Sequence, residues 1–195
     1  SPRERADVPL LETVDPVQAY RKGPFAMYAL REYIGETRVN LALRNLLTKF
    51  TSKGLPLPTS QDLYAELQSV TPDSLCYLLN DLLAFNTIWD LQTKSVSISR
   101  TNNHEWIVTL KYTAKKEIVD VEGNITPIPM LEPVEIGIYK TTTGGQRRII
   151  YLQKHMVGSG EGVIEVTVSE QPGEAGVDPR NLLIDMDPYD NVRKA

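Results

Sequence analysis

Tyr20 opens the segment of this chain whose residue types and spacing most favour chemistry. It is followed by Arg21, Lys22 and Gly23, and then by an apolar stretch that runs to Ile34. A tyrosine held beside an active site can donate its phenol hydrogen bond to the oxyanion that forms when an amide is cleaved. On the residues alone, the alternative is a tyrosine that packs at the start of a helix with its hydroxyl in solvent.

The other polar residues offer no recognisable metal site. His104 and His155 are the two histidines of the chain, and no third ligand stands at a spacing typical of zinc. Asp185, Asp187 and Asp190 superficially suggest calcium, but the glycine and the terminal glutamate of a calcium loop are missing. We therefore predict no metal site in this chain and expect both histidines at the surface.

Charge and apolar content argue against two further classes of partner. The formal net charge is -4, and the 21 lysine and arginine residues are spread along the 195 positions. Nucleic-acid binding needs a concentrated basic face, so nucleic acid is not expected as a partner. No apolar run approaches the roughly 18 residues that would span a bilayer. We therefore expect no membrane segment within this chain.

The residues before Trp89 show helical periodicity. An extended lead-in is predicted through about Asp15. The first helix is predicted from near Gln18 or Pro24 to Ile34, since proline is tolerated in a first turn and Gly35 follows as a stop signal.

Three more helices are predicted in the same half. Thr59 followed by Asp62 resembles a capping box, and Thr71 followed by Pro72 predicts another helix start. A break at about residues 53–58 separates these starts from the helix before them. That helix, over about 37–50, is expected to bury an apolar stripe at helical spacing, formed by Val39, Leu43, Leu46, Leu47 and Phe50.

From about residue 89 to 169, apolar and polar residues alternate, which is typical of antiparallel strands with one buried face. The clearest run has Trp106, Val108, Leu110 and Tyr112 on one face. The predicted fold class is therefore α+β. A helical segment of about four helices (residues 1–88) precedes an antiparallel β-sandwich (89–170) and an irregular tail (171–195), which docks through its apolar residues Leu182, Leu183 and Ile184.

The segment from Tyr20 to Gly23, with the helix behind it, resembles the Y-x-K-G segment of the aminopeptidase N-like zinc peptidases, or gluzincins. Residues 26–36 resemble the next helix of that family. Several later motifs are similar to a bacterial branch in which the peptidase is often fused behind an ABC-type transporter permease: Thr71-Pro72-Asp73-Ser74-Leu75, Trp89-Asp90, Val177-Asp178-Pro179 and Asp190-Asn191. The resemblance covers most of the chain.

This resemblance implies that Tyr20 is the catalytic residue that stabilises the transition state. It also implies zinc and a peptide substrate in the parent protein. The H-E-x-x-H helix, a later zinc glutamate and a G-x-M-E-N-type loop do not occur in this sequence. The metal site is therefore expected in an upstream catalytic domain of the same polypeptide, and the 195 residues alone are expected to bind no catalytic zinc and to cleave nothing. Any membrane tether is expected upstream as well.

Two other functions remain open at this point. The chain could be a non-catalytic scaffold or interaction module attached to a membrane transporter, in which case Tyr20 is incidental. It could also be a stand-alone sandwich adhesin, although the four helix signals before residue 86 count against that interpretation.

Overall fold

The computed structural model describes residues 8–51, 57–141 and 145–195, apart from the side chain of Gln18. Residues 1–7 of the predicted lead-in and most of the predicted break at 53–58 lie outside these ranges. Within them, helices precede two antiparallel sheets, which confirms the predicted α+β class. The chain divides into two units. The first comprises the described residues up to Thr87 together with Ile118–Thr126, and the second comprises Ile88–Glu117 with Pro127–Ala195.

Helix α1 (Pro16–Ile34) begins two residues before Gln18, the earlier of its two predicted starts, and well before Pro24. Asp15 is the N-cap, and its carboxylate accepts a hydrogen bond from the Val17 backbone N–H at 2.9 Å. Pro24 therefore lies inside the helix, so its predicted place in a first turn is wrong. Asp15 and Pro16 provide the stronger start, a capping side chain followed by a proline at the first helical position. Gly35, at φ 93°, ends the helix as predicted.

Helix α2 (Glu36–Thr51) confirms the predicted range of about 37–50 within a residue at each end. Val39 is buried as expected, but Leu47 is 66% exposed, contrary to the prediction. The buried stripe passes through Ala42 instead. Residues three and four apart share a helix face. Leu47 lies five residues after Ala42 and therefore does not share its buried face.

Helix α3 (Ser60–Val70) starts with the predicted capping box. The Thr59 backbone N–H donates to the Asp62 carboxylate at 2.8 Å, and the Asp62 N–H donates back to the Thr59 hydroxyl at 3.3 Å. Glu66 on this helix forms an ion pair with Lys49 of α2.

The last helical stretch differs from a regular capped helix. It comprises a 3₁₀ turn (Asp73–Leu75), helix α4 (Cys76–Leu79) and a π-helical turn (Asn80–Ala84). Thr71 does not cap it, because its hydroxyl donates instead to the Leu67 carbonyl at 2.7 Å, in the final turn of α3. The predicted Thr71 cap is therefore wrong. Back-bonding to the preceding turn competes with capping in threonine.

The first sheet is organised around β2 (Trp106–Val119). It pairs with β1 (Thr87–Arg100), β3 (Ile125–Ile128) and β6 (Gly160–Val168). The β2–β6 pairing is antiparallel and sets buried residues opposite one another. As the alternation predicted, the inward side chains of β2 include Val108, Leu110 and Tyr112, all less than a tenth exposed.

The second sheet has the order β5-β4-β7-β8 and is antiparallel throughout. Its strands are β4 (Leu131–Thr141), β5 (Arg147–Gly158), β7 (Glu174–Val177) and β8 (Val192–Lys194). The last two lie in the tail that the sequence predicted to be irregular. Proline, glycine and aspartate interrupt this segment and leave apolar runs of only a few residues, which are too short to predict a strand.

Polar and aromatic side chains join the inner faces of the two sheets. Lys116 of β2 forms an ion pair with Glu132 of β4, and both residues are buried. The Trp89 indole N–H donates to the same carboxylate at 3.4 Å, and the Lys116 ammonium lies 5.4 Å from the Trp89 ring centroid. The sheets therefore form a sandwich whose apolar core contains this buried charge pair.

Candidate functional site

Tyr20 lies in the second turn of α1 and not at the start of the helix. Its side chain is 82% exposed. Its hydroxyl forms no hydrogen bond with any residue whose side chain the structure describes. The phenol therefore points away from the interior of the first unit and is available to a group outside it.

The residues around Tyr20 on α1 form an exposed apolar surface. Val17, Tyr20, Pro24 and Tyr28 follow one another at spacings of three or four residues, which places them on one side of the helix. Val17 is 56% exposed and Tyr28 39%, and the neighbouring Phe25 is 61% exposed. We call these five residues the α1 face. A helix with a second apolar side in solvent is unusual, and such surfaces commonly mark interaction sites.

The opposite side of α1 holds the helix on its own unit. Ala26, Ala29 and Leu30 are fully buried, and Ile34 is 2% exposed. α1 is therefore apolar on both sides, one of them buried within its unit and the other, the α1 face, partly exposed.

The two basic residues after Tyr20 point in different directions. The Lys22 ammonium donates a hydrogen bond to the Asn86 side-chain oxygen at 2.8 Å, within the first unit. Arg21 is exposed. Lys22 therefore makes a tertiary contact within the first unit, whereas Arg21 faces solvent.

The two histidines lie on different elements. His104 is exposed in the loop between β1 and β2, with Arg100 3.3 Å from its ring. His155 lies on β5 and is half-buried, and its Nε2 is 2.6 Å from the Tyr151 hydroxyl. The surface prediction therefore holds fully for His104 and in part for His155.

The aspartates of the tail bind backbone N–H groups. Asp185 accepts from Leu91 at 3.2 Å and from Asp187 at 3.0 Å, and Asp187 accepts from Tyr189 at 3.2 Å. Burial raises the pKa of the Asp185 carboxyl. These contacts fix turns of the tail on the sandwich. Asp185 and Asp187, two of the three carboxylates that suggested a calcium loop, therefore bind backbone N–H groups, and Asp190 accepts a hydrogen bond from the Gln92 side-chain amide.

Asp178 is the most perturbed of the tail carboxyls. Its residue is fully buried, and the carboxylate accepts hydrogen bonds from the Leu182 and Leu183 N–H groups at 3.0 and 2.9 Å. Burial raises its pKa to about 7, although those two hydrogen bonds favour the charged form. The predicted docking of the tail through Leu182 and Leu183 is confirmed, since they are 2% and 4% exposed.

The described residues do not bring together a metal site. Among residues 8–51, 57–141 and 145–195, no group of three or more histidines, cysteines, aspartates or glutamates is arranged to hold a metal ion. The resemblance places zinc and its ligands in an upstream domain and assigns none of the residues of this chain to it.

Sequence reasoning missed the buried Lys116–Glu132 pair and the contact of Lys22 with Asn86. Lys116 shares the inward parity of Val108 and Leu110 in β2, so the alternation itself was a signal. The Lys22 contact joins residues 64 positions apart and has no local signal.

Comparison with known proteins adds no family to these observations. A scan against protein-family models found no match, and a search of curated proteins found none. No helix in the described part of the chain has the length and apolar character needed to cross a membrane.

Proposed function

We propose that this chain is the C-terminal part of an aminopeptidase N-like zinc peptidase, in which Tyr20 stabilises the transition state of amide hydrolysis. The observation that carries the proposal is the exposed phenol of Tyr20 within the apolar α1 face. A hydrogen-bond donor surrounded by apolar residues becomes most effective when a second domain covers it and excludes water.

The α1 face supports an upstream catalytic domain as the covering partner. Val17, Phe25 and Tyr28 lie on the same surface as Tyr20, and each is at least 39% exposed. Covering these side chains removes apolar surface from water, which stabilises the contact by about 25 cal/mol for each Å² buried. The same contact holds the phenol at the edge of the neighbouring domain, where a peptide substrate binds.

Tyr20 then acts through its O–H group. When a nucleophile adds to the amide carbonyl, negative charge develops on the carbonyl oxygen, and the phenol donates a hydrogen bond to it. A donor of this kind commonly contributes about a hundredfold in rate. The metal and the general base belong to the upstream domain in this proposal, and this chain contributes the donor and the surface that positions it.

The test uses the longer polypeptide that includes the upstream domain. Tyr20→Phe removes only the hydroxyl, so turnover of an aminoacyl-anilide is expected to fall about a hundredfold with little change in KM. Tyr189→Phe is the matched control, because Tyr189 is 93% exposed and belongs to the second unit. Near-normal turnover of Tyr20→Phe refutes the proposed role.

A second experiment concerns the 195 residues alone. The pure chain is expected to release no product from an aminoacyl-anilide, with or without added zinc. Robust hydrolysis by the isolated chain contradicts the division of labour proposed here.

The second candidate is a non-catalytic interaction module attached to a membrane transporter. The observation that favours it is a smaller apolar surface on the sandwich, where Leu131 is 69% and Met156 57% exposed. The register places Pro133 of β4 opposite Met156 of β5, two residues from Leu131. An intact H-E-x-x-H in the upstream sequence favours the peptidase, and a missing or altered motif favours the module.

A further inference from the structure

We propose that Lys22 is a positioning residue that fixes the part of α1 carrying Tyr20. This inference rests on the proposed function, because positioning matters only if Tyr20 acts on a substrate. The Lys22 ammonium is 2.8 Å from the side-chain oxygen of Asn86. Lys22 is half-buried and Tyr20 is exposed, so the two side chains leave the helix on different sides.

This part of α1 needs an external anchor. Gly23 and Pro24 follow Lys22 directly and are the two weakest helix formers. Pro24 has no N–H, so the Tyr20 carbonyl loses its partner at the usual helical position. The helix is therefore weakened at Gly23 and Pro24, between the turn that carries Tyr20 and the well-packed turns that bury Leu30 and Ile34.

Asn86 is a suitable anchor because it is itself fixed. Its residue is 7% exposed, and its backbone carbonyl accepts a hydrogen bond from the Val119 N–H at 3.0 Å. A second long-range bond acts nearby, from the Leu11 N–H to the Leu83 carbonyl at 3.0 Å. The chain just before α1 and its second turn are therefore both attached to residues 83–86.

The contact is also chemically strong for its size. A hydrogen bond with a charged donor is about twice as strong as a neutral one, and a half-buried ammonium is screened less than one in open water. A helix is stiff over two residues, so an anchor at Lys22 also fixes the backbone position from which the Tyr20 side chain leaves the helix.

The first test measures backbone amide exchange in the 195-residue chain. Lys22→Met keeps an unbranched side chain but removes the donor. We expect the amides of residues 20–23 to exchange about tenfold faster in this variant, which corresponds to the loss of one charge-assisted hydrogen bond. The amides of residues 29–34 and of the sandwich are expected to be unchanged. Lys22→Arg keeps a charged donor and is expected to remain near the wild-type rates.

Asn86→Ser provides the second variant if Lys22→Met does not fold. It shortens the acceptor side chain and is expected to raise exchange at the same four positions. A double-mutant cycle with both substitutions is expected to show that the second change adds little once the first is present. Unchanged exchange at residues 20–23 in both single variants overturns the positioning role.

The kinetic test uses the longer polypeptide and separates this inference from the proposed function. Lys22→Met is expected to lower kcat about tenfold with KM nearly unchanged, and Lys22→Arg is expected to restore most of the loss. If Tyr20→Phe impairs turnover and Lys22→Met does not, the positioning inference fails and the proposed function stands. If Tyr20→Phe has no effect, the proposed function fails, and with it the catalytic meaning of the anchor.

Discussion

Pro24 lies four residues after Tyr20 in the same helix, so the Tyr20 carbonyl faces the one residue type that cannot donate a backbone hydrogen bond to it. The chain tolerates this arrangement because α1 has its own cap at Asp15 and a packed second half that ends at Ile34. The helix therefore lacks one backbone hydrogen bond at the candidate catalytic residue, which lowers its local stability there.

Replacing Pro24 should therefore stabilise the isolated chain. Pro24→Ala restores a donor for the Tyr20 carbonyl and places the best helix former in a helix interior, which predicts a gain of about 1–3 kcal/mol in the free energy of unfolding. Urea denaturation followed by circular dichroism measures it. Pro127→Ala is the control, since Pro127 is exposed in β3, where alanine is expected to be neutral or slightly destabilising. A loss of stability in Pro24→Ala contradicts the account of α1.

Local signals predicted those parts of the fold that depend on few neighbours. The Thr59–Asp62 box, the stop at Gly35 and the alternation through Leu110 each use residues close in sequence, and the structure confirms all three. Thr71 failed as a cap because its hydroxyl donates to the Leu67 carbonyl in the last turn of α3 and accepts no hydrogen bond from the first N–H groups of the next helical stretch.

The candidate site was predictable only as far as Tyr20 itself. Sequence patterns placed a tyrosine at a helix and a family resemblance gave it a role, but neither indicated the exposed α1 face. That face became visible only when the buried side of α1 was known, through Ala26 and Leu30. The contact of Lys22 with Asn86 depends on tertiary structure alone, so a single sequence does not reveal it.

Glycine in β7 is required by a close backbone approach. A Cβ added at Gly176 would lie 2.2 Å from the Asn191 carbonyl oxygen and 2.9 Å from the Val192 Cα. Both are backbone atoms, so Gly176→Ala must separate β7 from β8, and a loss of about 1–3 kcal/mol is expected in chemical denaturation. A Cβ at Gly158 would meet its nearest atom only at 3.8 Å. Gly158→Ala is therefore the control, and equal stability of the two variants contradicts the requirement for glycine at the close approach of β7 to β8.

For the buried Lys116–Glu132 ion pair, we expect a single substitution to lower the free energy of unfolding more than the double substitution does. Glu132→Leu leaves the Lys116 ammonium buried without its carboxylate partner, which commonly destabilises by about 3–5 kcal/mol. The double variant Lys116→Met with Glu132→Leu removes both charges and is expected to be near wild-type stability. Urea denaturation of the two single variants and the double variant completes the cycle. A double variant as unstable as the sum of the single changes shows that the two charges act independently.

Asp178 predicts how the stability of the sandwich depends on pH. Its pKa is raised to about 7 in the folded chain, whereas an aspartate in an unfolded chain titrates near about 3.9. Between these values the folded state binds more protons than the unfolded state, so the free energy of unfolding falls as pH rises from about 4 to about 7. This one group contributes a slope of at most about 1.4 kcal/mol per pH unit, and none above the folded pKa.

Asp178→Asn isolates this contribution from those of other carboxyls. The pKa values of Asp185 and Asp190 are also raised by burial, so the wild-type curve alone does not identify Asp178. An amide cannot ionise, so the stability of Asp178→Asn carries no contribution from titration at this position. The stability of wild type relative to the variant is therefore expected to be greatest near pH 4.5 and to fall as pH rises to about 8. Thermal unfolding of both proteins across this range measures the difference, and a difference that does not change with pH shows that Asp178 does not titrate where its burial predicts.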